Sequence, residues 1–156
     1  MPRIRDALPA DHGRLLEIWL SSVRTTHHFL TEADIQLLLP EVRDIALPNL
    51  EEIWVLCDDD DVALGFMGLD GPHLEALFID PSYFRRGGGR LLIEHARLLK
   101  GALVVSVNEQ NLEALKFYRA LGFEASGRSP VDDGGRPFPL LHMRDTTIAD
   151  EVVKAH

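Results

Sequence analysis

The segment LEALFIDPSYFRRGGGRLL, Leu74 to Leu92, holds the transition on which the fold turns. Residues 74–80 are almost wholly apolar, which predicts a central strand covered on both faces. Three consecutive glycines, Gly87, Gly88 and Gly89, close the loop 81–89. A helix is expected from about Arg90 to Lys100, stopped by Gly101. Glycine lets a backbone approach an anion closely, and a helix start offers unpaired N–H groups and a favourable dipole. Arg85, Arg86 and Arg90 add positive charge here, in a chain whose net charge is −9. Together these features describe a cradle for a pyrophosphate. The loop lacks the Gly-Lys-Ser/Thr ending of NTPases and the G-x-G-x-x-G spacing of dinucleotide folds.

Downstream, ALVVSV (102–107) reads as a second buried strand. A helix follows from about Asn111 to Leu121, with Gly122 as its stop signal. FEASGRS (123–129) and PLLHMR (139–144) read as strands around the polar connection VDDGGRP. Upstream, 53–57 and 62–69 form a hairpin around Asp58-Asp59-Asp60-Asp61. Hard-cation loops space their ligands at alternate positions, so this run is read as a solvated turn, and no metal is expected. The chain opens with a short strand over 3–7. Leu15, Ile18, Trp19 and Val23 then recur at helical spacing from Asp11 onward. A second helix follows Thr31, where Thr31 and Asp34 have capping-box spacing with Asp in place of Glu or Gln. Ile35, Leu38, Leu39 and Val42 continue one face; Pro40 should kink or split it and Pro48 should end it. The order β-α-α-β-β-β-α-β-α-β-β implies a mixed α/β fold with a central sheet and helices on both sides.

The length of 156 residues suits one compact domain. The lone Cys57 permits no intrachain disulfide, excludes a clustered-thiolate zinc site, and is expected as a small buried apolar residue. The N-terminus lacks a basic run followed by an apolar block, and no apolar stretch is long enough to span a bilayer. The expected location is the cytoplasm. The acidic balance argues against partners such as nucleic acid or an anionic membrane.

Two motifs make a resemblance specific. Phe84-Arg85-Arg86-Gly87-Gly88-Gly89 resembles the (R/Q)-x-x-G-x-(G/A) loop, motif A of the GNAT acetyltransferases, with Phe84 where Arg or Gln is usual. Asn111 to Phe123, NLEALKFYRALGF, resembles motif B, N-x-x-A-x-x-x-Y-x-x-x-G-F, almost position for position. The resemblance covers roughly residues 3–145. The stretches around Trp19–Leu30 and Gly127–Leu141 are similar to a subgroup of small bacterial GNAT enzymes. It implies a single domain over 1–145 and a tail over 146–156. The implied sheet is twisted and mostly antiparallel, with parallel, splayed middle strands. The implied activity is transfer of an acetyl group from acetyl-CoA, without metal, to a primary amine of a small molecule, peptide or protein, by direct attack in a ternary complex. Homodimers are common in the family.

Amine attack on a thioester needs a base to free the nitrogen and an acid for the leaving thiolate. Glu75 is the one charged residue in 74–79, and burying a lone carboxylate is costly unless it is used or paired; the family often carries a Glu base on this strand, and a Glu that faces solvent or pairs with an arginine is the other reading. Tyr118 shares a helix face with Asn111, Ala114 and Leu115, and a phenol stays protonated at neutral pH, so it is the candidate acid. Phe117 is expected in the core. Leu77, Phe78, Ile79, the loop residues Arg85–Arg90, Asn108 and Asn111 are the expected cofactor contacts. A main-chain N–H near Leu77 would polarise the carbonyl, and extended pantetheine would add to the strands like another strand. Asn111 also suits a helix cap. His27 and Asp132 are the candidate acceptor contacts, although a solvated His pair and a turn-forming Asp read the same residues differently. Two other classes remain open: a non-catalytic acyl-CoA sensor, which Phe84 keeps in play, and a nucleotide-phosphate-binding domain.

Overall fold

The structure is a computed structural model and describes residues 2–147. Its strands are β1 (Arg3–Asp6), β2 (Glu52–Cys57), β3 (Ala63–Asp70), β4 (His73–Ile79), β5 (Val104–Asn108), β6 (Phe123–Ser129) and β7 (Leu140–Asp145). Its helices are α1 (His12–Thr26), α2 (Glu32–Glu41), α3 (Gly88–Lys100) and α4 (Leu112–Ala120). The strands are hydrogen-bonded in the order β1-β2-β3-β4-β5-β7-β6. The β4–β5 pair is parallel, while β1–β2, β2–β3, β5–β7 and β6–β7 are antiparallel. The mixed sheet expected from the sequence is present. The chain divides into two compact units, one made of residues up to Gly71 with Glu75–Glu94, the other of Pro72–Leu74 with the residues from His95 on.

In the first unit, the α1 stripe Leu15, Ile18, Trp19 and Val23 is buried against Val55, Cys57 and Phe66. Helix α2 starts with the capping box read from the sequence: Thr31 Oγ1 accepts from the Asp34 N–H at 3.1 Å, and the Thr31 N–H donates to Asp34 Oδ2 at 2.9 Å. Aspartate reaches back as well as the usual glutamate. Pro40 does not split the helix. Helical backbone continues through Glu41 and widens into a π turn over Val42–Ala46, where the Leu47 N–H donates to the Val42 carbonyl at 3.0 Å. Proline removes one rung and crowds the preceding turn, and the wider turn that follows keeps Leu47 buried. The β2–β3 hairpin turns on Asp58, whose Oδ1 accepts from the Asp60 and Val62 N–H groups, while Asp61 pairs with Arg3 and Arg5.

Two burial expectations are corrected. Strand β4 is not covered on both faces: Leu74 is buried, residues 76–79 are half-buried and Glu75 is exposed. Its ladder with β5 has only two rungs, His73 with Val104 and Leu74 with Val105, so that neighbour shields little of it. Strand β5 alternates instead of being buried throughout, with Val105 and Val107 inward and Ser106 exposed.

The second unit is organised around an ion pair that the sequence does not announce. Asp145, only 3% exposed, closes β7 and accepts from Arg97 Nε at 2.7 Å. The Arg97 guanidinium also donates to the Leu121 carbonyl at the end of α4 and lies 5.3 Å from the centre of the Phe123 ring. Asp145 Oδ1 further accepts from the Thr147 hydroxyl at 2.7 Å. The expected tail begins here: Thr146 is tied to the Gly122 carbonyl, and the residues from 148 on lie outside the described part. Removing one partner of a buried pair strands the other charge. Asp145→Ala is therefore expected to lower stability by roughly 3–5 kcal/mol in urea unfolding. Replacing both partners together, Arg97→Met with Asp145→Leu, should cost clearly less.

Candidate active site

The glycine loop belongs to the first unit and is held from its start. Asp80 caps the short 3-10 turn Pro81–Tyr83, its Oδ1 accepting from the Ser82 N–H at 2.9 Å. Its Oδ2 accepts from Arg14 Nη2 of α1 at 2.6 Å, and the same Arg14 nitrogen donates to the Ala63 carbonyl at 3.1 Å. Burial works to raise the Asp80 carboxyl, but the Ser82 and Arg14 donors outweigh it and hold the group below the usual carboxylate range. Sequence reasoning missed this Arg14–Asp80 tie. The available signal was Asp followed by Pro at a strand end, a turn-initiating pair.

Beyond the turn, the Arg86 guanidinium sits over the Tyr83 ring at 5.5 Å. Arg85 adopts a left-handed conformation with φ 62°, and Gly87 follows at φ 80°. Helix α3 begins at Gly88, two residues earlier than expected. Its first ladder bond runs from the Leu91 N–H to the Gly87 carbonyl at 3.0 Å. The N–H groups of Gly88, Gly89 and Arg90 thus have no acceptor within the helix. Gly88 is buried, and a Cβ there would lie 2.9 Å from a Leu56 methyl and 3.3 Å from the Tyr83 ring. Arg85, Arg86 and Arg90 are exposed, Arg90 pairing with Glu94 at 3.2 Å. Unpaired N–H groups on a glycine backbone with three exposed guanidiniums fit a pyrophosphate. Phe84, half-buried at the end of the turn, offers it no side-chain donor.

Leu77, Phe78 and Ile79 lie half-buried on β4, and the Phe78 ring packs 5.7 Å from that of Phe66. Glu75 is exposed, so the argument that its burial demands a use does not hold. It remains the one carboxylate of the strand, within reach of solvent and solutes.

In the second unit, Asn111 caps α4, its Oδ1 accepting from the Ala114 N–H at 3.1 Å. Asn108 ends β5 and accepts at its carbonyl from the Asn111 N–H at 2.9 Å. The roles of Phe117 and Tyr118 in packing are exchanged relative to expectation: Tyr118 is buried and Phe117 half-exposed. Tyr118 stands edge-on to Phe117 and Phe123, at 5.1 and 5.4 Å. Burial pushes its phenol above the ordinary tyrosine range, so it carries its proton throughout the neutral region. Asp132 makes the turn of the last connection, its Oδ1 accepting from the Gly134 and Arg136 N–H groups at 2.9 and 2.8 Å.

His27 ends α1 in the first unit. Its Nδ1 lies 2.8 Å from Thr26 Oγ1, and its ring packs 5.4 Å from Phe29. Burial, aided by the charge of His28, lowers its pKa to about 4, leaving a neutral imidazole at neutral pH.

Residues 49–125, which include the glycine loop and the whole of the second motif, match an acetyltransferase (GNAT) domain. The peptidyl-lysine N-acetyltransferase YjaB of Salmonella typhimurium strain LT2 is 43% identical over 143 residues, spanning 92% of this chain and 97% of that protein. The chain belongs to the GNAT family of acetyltransferases. The Escherichia coli K12 protein of the same name is 42% identical over 140 residues, covering 90% of this chain and 94% of its own. The solution structure of apo-form YjaB from Escherichia coli superposes with a TM-score of 0.86 at 42% identity, covering 92% of this chain and 97% of that one. As a GNAT enzyme, this acetyltransferase takes its acetyl group from acetyl-CoA. Among the described residues no group of His, Cys, Asp and Glu is suited to hold a metal, and no helix is long and apolar enough to cross a membrane.

Two outcomes test this geometry. His27 stays neutral when folded down to about pH 4, whereas the unfolded chain protonates it from about 6.5. Its contribution is therefore full above 6.5 and is lost as pH falls through that window, by at most about 3 kcal/mol. His27→Gln should flatten the stability curve between those limits in urea titrations. At the loop, Gly87→Val should raise KM for acetyl-CoA more than it lowers kcat, because a β-branched residue resists the positive φ.

Proposed function

We propose that this acetyltransferase modifies the ε-amino group of lysine in peptides or proteins, in the cytoplasm, by direct attack on acetyl-CoA in a ternary complex. The acceptor class is supported by the relatives' designation as peptidyl-lysine N-acetyltransferases. The net charge of −9 suits a cationic acceptor. Backbone donors of the α3 start, with Arg85, Arg86 and Arg90, hold the pyrophosphate. The β4 edge beyond Leu74, unpaired on its β5 side, takes the pantetheine as an added strand. The Leu77 N–H polarises the thioester carbonyl, Asn111 binds the donor arm through its amide nitrogen, and His27 and Asp132 contact the acceptor. Glu75 takes a proton from the amine, and Tyr118 gives one to the departing thiolate.

The observation that carries this reading is Tyr118. Its ring is buried, and burial holds its phenol protonated. A donor so kept is suited to a thiolate and to little else in an apolar setting.

The test is an acceptor panel of lysine peptides, N-terminal amines and polyamines, run with wild type, Glu75→Gln and Tyr118→Phe. Lysine peptides should give the highest kcat/KM. Each variant should lose roughly 10²–10⁴-fold in kcat while keeping its affinity for acetyl-CoA. Full activity in both variants would sink the acid–base assignment. Tight coenzyme binding with no thiol release on any acceptor would replace the enzyme reading by that of an acyl-CoA sensor.

A further inference from the structure

A histidine bracketed by two serines lies on the open face of the second unit. His142 on β7 pairs directly with Ser106 on β5, and its Nδ1 is 2.7 Å from Ser106 Oγ. On the other side it pairs with Gly127 of β6, which has no side chain to fill the space beneath the ring. A Cβ on Gly127 would come 3.7 Å from His142 Cδ2. The register of β6 shifts between Ala125 and Gly127, and Ser129 Oγ meets His142 Nε2 at 2.7 Å. A neutral imidazole has one donor and one acceptor nitrogen, so both hydroxyls are satisfied at once. Ser106 is exposed, and its neighbours Val105 and Val107 point the opposite way, into the core. It is also the first residue of β5 beyond the last rung shared with β4, the Leu74–Val105 pair.

The proton balance of the proposed reaction leaves a task for such an array. An alkylammonium and a thioester become an amide, a thiol and one free proton. Two protons must therefore leave the nitrogen, and only one ends on sulfur. Tyr118 supplies the sulfur's proton, and the proton that Glu75 takes from nitrogen replaces it by exchange through solvent, which leaves one nitrogen proton without a route.

We propose that Ser106 and His142 form a proton relay that deprotonates the incoming ammonium, with Ser129 as the residue that orients the imidazole. This rests on the acetyl-transfer reading above. The ammonium proton passes to Ser106 Oγ as the hydroxyl proton passes to His142 Nδ1; the N–H at Nε2 donates to Ser129 Oγ. The imidazolium then releases its proton to solvent, and no bond other than those to hydrogen changes. On this face Ser106 is flanked along β5 by Val104 and Asn108, and His142 along β7 by Leu140 and Arg144. Glu124 of β6 is paired with Arg144, and Glu109 forms an ion pair with Arg128. Among the described residues the hydrogen-bond partners of the two ring nitrogens are the serine hydroxyls, and no carboxylate is bonded to either.

The test measures kcat against pH for wild type, Ser106→Ala, His142→Gln and Ser129→Ala with a lysine peptide, together with acetyl-CoA affinity and thermal melting. The relay predicts a kcat loss on the order of 10²-fold in Ser106→Ala and His142→Gln with unchanged acetyl-CoA affinity. It also predicts that the dependence of kcat on pH in His142→Gln and in Ser129→Ala differs from that of wild type. Should His142→Gln fail to fold, Ser106→Ala, which removes one exposed hydroxyl, decides alone. Wild-type kcat and pH profile in Ser106→Ala overturn the relay while leaving the acetyl-transfer reading intact. A wild-type protein that binds acetyl-CoA and acetylates no amine overturns both.

Discussion

The contact on which the second unit depends is the buried pair of Arg97 and Asp145. One guanidinium reaches the last residue of β7, the final carbonyl of α4 and the ring of Phe123. The Asp145 backbone N–H meanwhile donates to Leu103, just ahead of β5, at 2.9 Å. Two helices and two strands are thus fixed through the two side chains, and the Asp145 backbone adds the approach to β5. A pair of this kind contributes little net stability over apolar packing, but it penalises every arrangement that leaves one charge alone. Such selectivity holds α4 and the strands beside it in one arrangement.

Elements with local signals were legible in the sequence. The α1 stripe, the Thr31–Asp34 cap, the Gly101 and Gly122 stops and the aspartate hairpin all follow from spacing or from one residue's conformational preference. What was illegible depends on partners distant in the chain. Arg97 and Asp145 are 48 residues apart, and Arg14 and Asp80 66 apart. The exposure of Glu75 was one of two readings the sequence left open, because apolar composition reports what a strand could bury, not where its ladder with a neighbour ends. Pro40 misled for a different reason. A missing N–H forbids one rung, but the helical backbone runs on into a π turn that spaces its bonds differently. The motif residues themselves were placed correctly, whereas Phe117 and Tyr118, adjacent on a short helix, could not be ranked by burial from periodicity alone.

The loop that departs from its family's pattern keeps its glycine backbone while its charged side chains stand elsewhere. With Phe84 in the usual Arg or Gln position, the next two residues carry the guanidiniums. Arg86 rests against Tyr83, and Arg85 turns through a left-handed conformation that non-glycine residues rarely adopt. The main-chain donors at the start of α3 are indifferent to side-chain identity. Side-chain cations can thus move by a residue while the main chain of the loop keeps its shape.

Cys57 is the only cysteine of the chain, and it is fully buried on β2. Burial also raises its thiol above the ordinary range, so little thiolate forms at neutral pH. A chromogenic disulfide added to the native enzyme would therefore meet one kind of reactive sulfur, that of released coenzyme A. Each turnover becomes countable without correction for the protein. The same reagent, with no substrate present, would register Cys57 only as molecules open, so a single sulfur atom serves as both a silent background and an unfolding clock.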